Sequence, residues 1–335
     1  MKKFKILLGL FVCTFMIMPF TGVKAVGPDG IGYDGSNVTS KSENGVYYLT
    51  LTGDAVQDLE IASGEVVVLD LNGHNFTNFC TSCSAIYVKT GGKLTITDSG
   101  NSGVISKKNE TNANVSVVNN EGTLTIEGGK ISGKGNGSAA LLNSGNLTIT
   151  GGTITTEEDN VFGLVNKGTA LINGGNFIQA HNFSVINNAN EMEITNGNFK
   201  AGENNTSAYS LITNEGSNGK ANLKVSGGTF NANNGVFYNQ GNDVVTVSGG
   251  SFSQQDVSKY LPDGYTMTQD ENGNYTVAKS ETTPSEDNTK AEAKDVAGEI
   301  TNPKTADSII LVTLTLLLSG IVAVVAGRKI VKAKM

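Results

Sequence analysis

Apolar and polar side chains alternate in short runs along the middle of the chain, and the runs recur. The recurring segments are GTLTIEGGKI (122–131), GNLTITGGTI (145–154), GTALINGGNF (168–177), NEMEITNGNF (190–199), NLKVSGGTF (222–230) and DVVTVSGGSF (243–252). Alternation with a period of two predicts strands with one buried face. The recurrence is marked by Gly129, Gly152, Gly175 and Gly197 and again by Gly228 and Gly250, at steps of 22 or 23 residues. A period of that size predicts a solenoid. Looser copies precede it at VLDLNGHNF (68–76) and GKLTITDSG (92–100).

Alignment of the copies predicts three inward columns. The first runs from Leu69 and Leu94 through Leu124 and Leu147 to Val245, the second from Leu71 and Ile96 through Ile126 and Ile149 to Val247. The third runs from Phe76, Ile105 and Ile131 to Phe199, Phe230 and Phe252. Three short strands per turn with like residues stacked on like predict an all-β fold, a right-handed parallel β-helix of about eight coils.

A fourth column is polar. Asn120, Asn143, Asn166, Asn188, Asn214 and Asn239 each stand two residues after an apolar position and share its parity. They are therefore expected to point inward as a structural ladder, each amide bonded to its neighbours above and below. A Gly follows two residues later in most copies, as at Gly122, Gly145 and Gly168, with Asn190 as the variant. Its expected role is a left-handed backbone at the corner.

The flanks divide the chain further. Residues 1–25 carry lysines, then an apolar run from Ile6 to Phe20, then small residues at Val23 and Ala25. This is the pattern of a secretory signal peptide cleaved after Ala25. Residues 26–56 are expected as an N-terminal lead-in or cap, 57–254 as the β-helix, and 255–279 as a C-terminal capping hairpin with turn signals at Pro262-Asp263-Gly264 and Asn272-Gly273. A charged, aperiodic stretch, 280–301, has the composition of a disordered wall-spanning linker. In 302–335, Asn302-Pro303-Lys304-Thr305-Ala306 precedes a 308–327 apolar run and the basic tail Arg328, Lys329, Lys332 and Lys334. Such a run is long enough for a transmembrane helix, and the trailing cations hold that end in the cytoplasm.

Composition sharpens the partner classes. Arg328 is the only arginine in the 335 residues. Removing both ends takes eight of the 24 basic residues and one of the 31 acidic ones, leaving 16 and 30 and a formal charge of −14. Such a surface excludes nucleic acid as a partner.

The pentapeptide, apolar span and basic tail resemble the LPxTG-like sorting signal of Gram-positive surface proteins. Together with Leu69-Asp70-Leu71-Asn72-Gly73, the repeated coils, and a closing element at Tyr260-Leu261, Gly264-Tyr265 and Tyr275-Thr276-Val277, the chain resembles cell-wall-anchored β-helix proteins of pectate-lyase-like topology. Asn302 and Ala306 replace Leu and Gly, as in the variant signals of less common sortase classes. The resemblance implies sortase as a partner, covalent attachment to peptidoglycan through Thr305, and residence on the cell wall after a membrane-spanning precursor.

Chemistry on the rod is sparse. A hydrolase on this scaffold needs paired carboxylates about 5–9 Å apart, and a lyase needs a basic residue and clustered acids for Ca²⁺. Glu127, Glu191, Glu193 and Asp70 are not on neighbouring rungs, and Glu157-Glu158-Asp159 has the pattern of a solvated corner. His74 and His181 are isolated in sequence. No catalytic residue, metal ligand or cofactor is expected. In the mature chain Cys80 and Cys83 are read as a local disulfide rather than half of a zinc site. The expected function is a non-catalytic surface protein for adhesion or contact with host or microbial glycans; the alternatives are a polysaccharide lyase or hydrolase and a passive spacer. The binding face is expected at the inserts 77–84, 97–116 and 200–220, or on outward threonines such as Thr123, Thr125, Thr148 and Thr150.

Overall fold

A computed structural model gives the fold and describes residues 37–78, 83–107, 115–134, 139–159, 161–202, 208–217 and 219–281. The signal peptide with Ala25, Cys80, most of the linker and the whole sorting signal lie outside the described residues.

Successive coils lie on one another in parallel register, so each strand's backbone groups are paired with the coils before and after it. Three faces result. The first stacks Val46–Leu51, Val66–Asp70, Lys93–Thr97 and their successors to Val244–Val247. The second runs from Ala55–Val56 and Phe76–Thr77 to Gly250–Phe252. The third is a separate eight-stranded sheet from Leu59–Ile61 to Phe237–Asn239. The structure is thus the expected all-β parallel solenoid of about eight turns.

Like residues stack as the sequence predicts over most of the length. Phe177, Phe199, Phe230 and Phe252 are fully buried, with neighbouring rings 4.7, 4.7 and 4.9 Å apart and nearly coplanar. That spacing is the strand-to-strand distance of a sheet, so the rings follow the backbone rather than setting it.

The early coils differ from the predicted alignment by two residues. Val67 pairs with Leu94 and Leu69 with Ile96, so Val67 holds the first column and Leu69 the second. Leu71, expected in the second column, is buried beyond the strand end. The cause is a longer corner: seven positions separate Leu69 from Phe76, nine separate Ile96 from Ile105, and five separate Ile126 from Ile131. Leu71 fills the space this corner opens, where a Cβ on Gly129 would lie 2.6 Å from its Cδ1. The stack also starts earlier than residue 57, because Tyr47 to Thr50 already pair in parallel with Val67 to Asp70.

In most coils the glycine after the ladder asparagine acts differently from expectation. Left-handed backbone occurs at the second glycine of the GG corner, as at Gly152 (φ +78), and is absent at Gly122, Gly145, Gly168, Gly216 and Asn190, while Gly241 after Asn239 has it as expected (φ +59). Gly145 is required for space, since a Cβ there would lie 2.2 Å from the carbonyl oxygen of Gly122 on the coil before. Coil stacking selects glycine at that corner in the earlier coils, and backbone handedness selects it at Gly241, where a Cβ would meet nothing.

Both ends of the stack are closed by antiparallel pairing. Val38–Glu43 covers Val46–Leu51, and the hairpin Tyr265–Gln269 with Tyr275–Lys279 covers Gly250–Phe252. Exposed Lys41 and Glu43, 3.0 Å apart, mark the outer N-terminal strand, charges that discourage further strand addition.

Inside, the asparagines form one continuous chain. Nδ2 of Asn120 donates to Oδ1 of Asn143 (2.7 Å), Asn143 to Asn166 (2.7 Å), Asn166 to Asn188 (2.8 Å), Asn188 to Asn214 (2.8 Å) and Asn214 to Asn239 (2.7 Å). The second amide hydrogen goes to backbone carbonyls, such as Thr169 O from Asn143 and Glu191 O from Asn166. In the two coils before, Ile61 and Val88 occupy the same column, so the ladder begins where an apolar column ends.

Asn166→Ala should destabilise the protein by about 2–4 kcal/mol, because it strands a donor on Asn143 and an acceptor on Asn188. Asn166→Asp places a carboxylate oxygen against Oδ1 of Asn188, so its folded-state pKa should rise above the unfolded value. The stability of that variant should then increase as pH falls from 7 to about 5, a range over which wild type should not change, as read by urea denaturation at each pH.

Candidate functional site

Outward chemistry concentrates where corners lengthen. The strands of the second and third faces are separated by connections of unequal length, from two residues between Val56 and Leu59 to eleven between Ser106 and Val118. Inward polar residues at the end of the second face hold these corners. Asn78 donates to Cys83 O (3.3 Å) and Lys107 Nζ to Val115 O (2.9 Å). Gln179, 2% exposed, directs Nε2 towards the carbonyls of Phe183 (2.9 Å), Tyr209 (3.2 Å) and Ser210 (3.3 Å). Each donor replaces water for carbonyls that the corner removes from the sheet. Burial pushes the Lys107 amine below its usual value.

Gln179 thereby positions a groove of about 520 Å³ on the third face. Phe162, Phe183, Tyr209 and Tyr238 line it, from four successive coils. Phe162 and Phe183 meet edge to face at 4.3 Å, and Phe183 and Tyr209 tilt together at 5.1 Å. Tyr209 and Tyr238 are 49% and 52% exposed. The polar lining includes Ser184 and Thr213, whose hydroxyls are 2.8 Å apart, with Asn187, Asn234 and Glu215. Asn187 follows Val165 and Leu142 in one outward row, and its Oδ1 is a buried oxygen without a hydrogen-bond partner among the described residues.

A second groove of about 640 Å³ runs along the corner between the first and second faces and contains Asp98 and Glu127. Asp98 accepts the Gly73 and Gly103 N–H groups, both at 2.7 Å, and so joins two long corners. Other acids do the same work. Asp70 accepts from the Ser99 N–H and hydroxyl and from Asn72 N–H, Asp243 from Gly216 and Ala221 N–H, Asp54 from Asn75. Burial would raise the Asp70 carboxyl, but the Ser99 and Asn72 donors hold it below the usual carboxylate range. Asn75 does so for Asp54.

A smaller groove of about 320 Å³ holds Tyr87, Glu60 and Asp58. The Tyr87 hydroxyl hydrogen-bonds Glu121, and that bond, with burial and the charges of Glu121 and Glu60, pushes its pKa up to about 12.

The residues singled out in sequence separate as follows. Glu157 accepts from Ser132 while Asp159 accepts from Asn182 N–H, so these neighbouring acids serve different coils. The histidines are not isolated: His74 Nδ1 lies 3.9 Å from Asp54 and His181 Nδ1 3.6 Å from Asp159. Among the described residues no group of three or more His, Cys, Asp or Glu is placed to hold a metal ion. Cys83 is disulfide-bonded, while Cys80 lies outside the described residues. The threonine row on the first face runs through Thr95, Thr125 and Thr148 and then breaks at Leu171 and Glu193. Of the expected inserts, 200–220 supplies Tyr209 and Thr213 to the aromatic groove. Phe162, Phe183, Asn187 and Tyr238 were not singled out; their signal was an aromatic or amide at an outward or corner position of the third strand.

No family model matches the chain, and searches of curated proteins and of solved structures find no match.

Asp98→Asn should cost about 2–3 kcal/mol in urea denaturation, since its amide faces a backbone N–H with another donor. The depressed Asp54 and Asp70 carboxyls give stability that is complete above about pH 4 and lost as pH falls through their folded-state values. The wild-type melting temperature should therefore hold from pH 7 to 5 and drop below pH 4.

Proposed function

We propose that the chain is a non-catalytic bacterial surface protein, wall-anchored by sortase, that presents its β-helix for adhesion or glycan contact. The observation that supports the non-catalytic part is the use of Asp98 in the groove between the first and second faces and of Asp70 and Asp243 at other corners. Asp98, Asp70 and Asp243 spend their oxygens on main-chain donors that bind one coil to another. A carboxylate so committed has little capacity left to abstract or deliver a proton. The exposed surface that is rich in contact potential is the aromatic groove instead. The anchoring part rests on Asn302-Pro303-Lys304-Thr305-Ala306, the apolar run and the basic tail, which together resemble a sorting signal. In that reading sortase cleaves after Thr305 and joins its carbonyl to peptidoglycan, with 280–301 spanning the wall.

In a host that carries the matching sortase, wild type should appear in the fraction released by peptidoglycan digestion, and Thr305→Ala should remain with the membrane fraction. Equal wall linkage of the two would reject the anchoring. Incubation with uronate and neutral polysaccharides should yield neither new reducing ends nor unsaturated products.

A further inference from the structure

We propose that the aromatic groove of the third face binds a neutral oligosaccharide, with Asn187 as the residue that selects it. The inference rests on the glycan-contact reading above and gives it a place and a ligand class.

Three observations lead there. First, Phe162, Phe183, Tyr209 and Tyr238 come from four successive coils, so the lining spans three coil steps, about 14 Å at the spacing of sheet strands. That length suits a short chain of sugar rings, whose C–H faces pack on aromatic rings while their edges hydrogen-bond.

Second, the charge is complementary to a neutral ligand and not to an anionic one. Among the described residues lining the groove there is no lysine or histidine, while Glu215 contributes a carboxylate. The chain has no arginine before Arg328. Sialylated, sulfated or uronate ligands would meet repulsion with no cation to offset it.

Third, the buried Oδ1 of Asn187 has no donor among the described residues. A buried acceptor without a partner costs free energy, and a ligand hydroxyl or amide N–H would remove that cost on binding. A quaternary ammonium, the other ligand that suits aromatic rings beside a carboxylate, carries no N–H and leaves the acceptor unmet. An extended peptide added as a strand is disfavoured too. The main chain of Ile186–Asn188 and Ile212–Asn214 is already paired with the coils on either side, so no sheet edge is open there.

The test uses the purified full-length chain on an array of neutral oligosaccharides (gluco-, galacto-, manno- and N-acetylhexosamine series), their sialylated, sulfated and uronate counterparts, and a choline conjugate. Wild type should bind within the neutral series. Tyr209→Ala and Tyr238→Ala should each weaken that binding about tenfold or more, with Tyr238→Phe retaining it. Asn187→Leu should weaken binding about tenfold while leaving the melting temperature unchanged or higher, because it deletes the unmet acceptor. A purely structural asparagine would lower the melting temperature on replacement. Unchanged affinity in both tyrosine-to-alanine variants would overturn the groove while leaving glycan binding in place. Preference for the anionic or choline probes would overturn the ligand class. Silence of wild type across the whole array would overturn glycan binding itself.

Discussion

The structure depends on one constraint: whatever polar group a coil turns fully inward must find its partner within the protein, on the next coil or on its own corner, because it is buried from solvent. The asparagine chain from Asn120 to Asn239 meets it with one hydrogen of each amide along the axis and the other to a carbonyl at the corner. An amide can do this where a carboxylate or hydroxyl cannot, because it offers two donors and an acceptor in one plane. The amide chain also ties the coils to one spacing. The phenylalanine column then stacks at 4.7 to 4.9 Å without needing any spacing of its own.

The same constraint explains what the sequence disclosed. Repetition of side-chain type at fixed parity is a direct image of like stacking on like, so the columns through Ile126, Ile149 and Phe177 and the amide row could be read from period alone. The first coil is offset by two positions from the alignment its sequence suggests, because NG in Leu71-Asn72-Gly73 imitates the GG corner while Leu71 is an additional inward residue. Glycine at 122, 145 and 168 was legible as obligatory but not for its reason. The backbone there has ordinary φ, and only the distance to the coil before shows that a Cβ has no room.

Groove residues were less legible, for a physical reason. An inward residue answers to a neighbour of its own kind, whereas an outward residue answers to nothing within the repeat and leaves no period. Phe183 and Tyr209 take their places between Phe162 and Tyr238 with their carbonyls bonded from the interior by Gln179, a contact that no repeat announces. Gln179 belongs to a second inward polar series with Asn78 and Lys107, whose members differ in type and so also escape a search for repetition.

Function and stability pull apart along the outward row of the third face. Leu142 and Val165 hold that row with apolar side chains, and Asn187 breaks it with an oxygen that finds no donor among the described residues. The fold does not require the amide there, because its neighbours on both sides are already joined through the main chain and through the inward asparagines. A buried acceptor that contributes nothing to the coil, set beside exposed tyrosines at a corner built to face solvent, costs stability in the free protein. A donor supplied from outside the chain would remove that cost, which is why the proposed glycan site is set on the third face rather than along the threonine row.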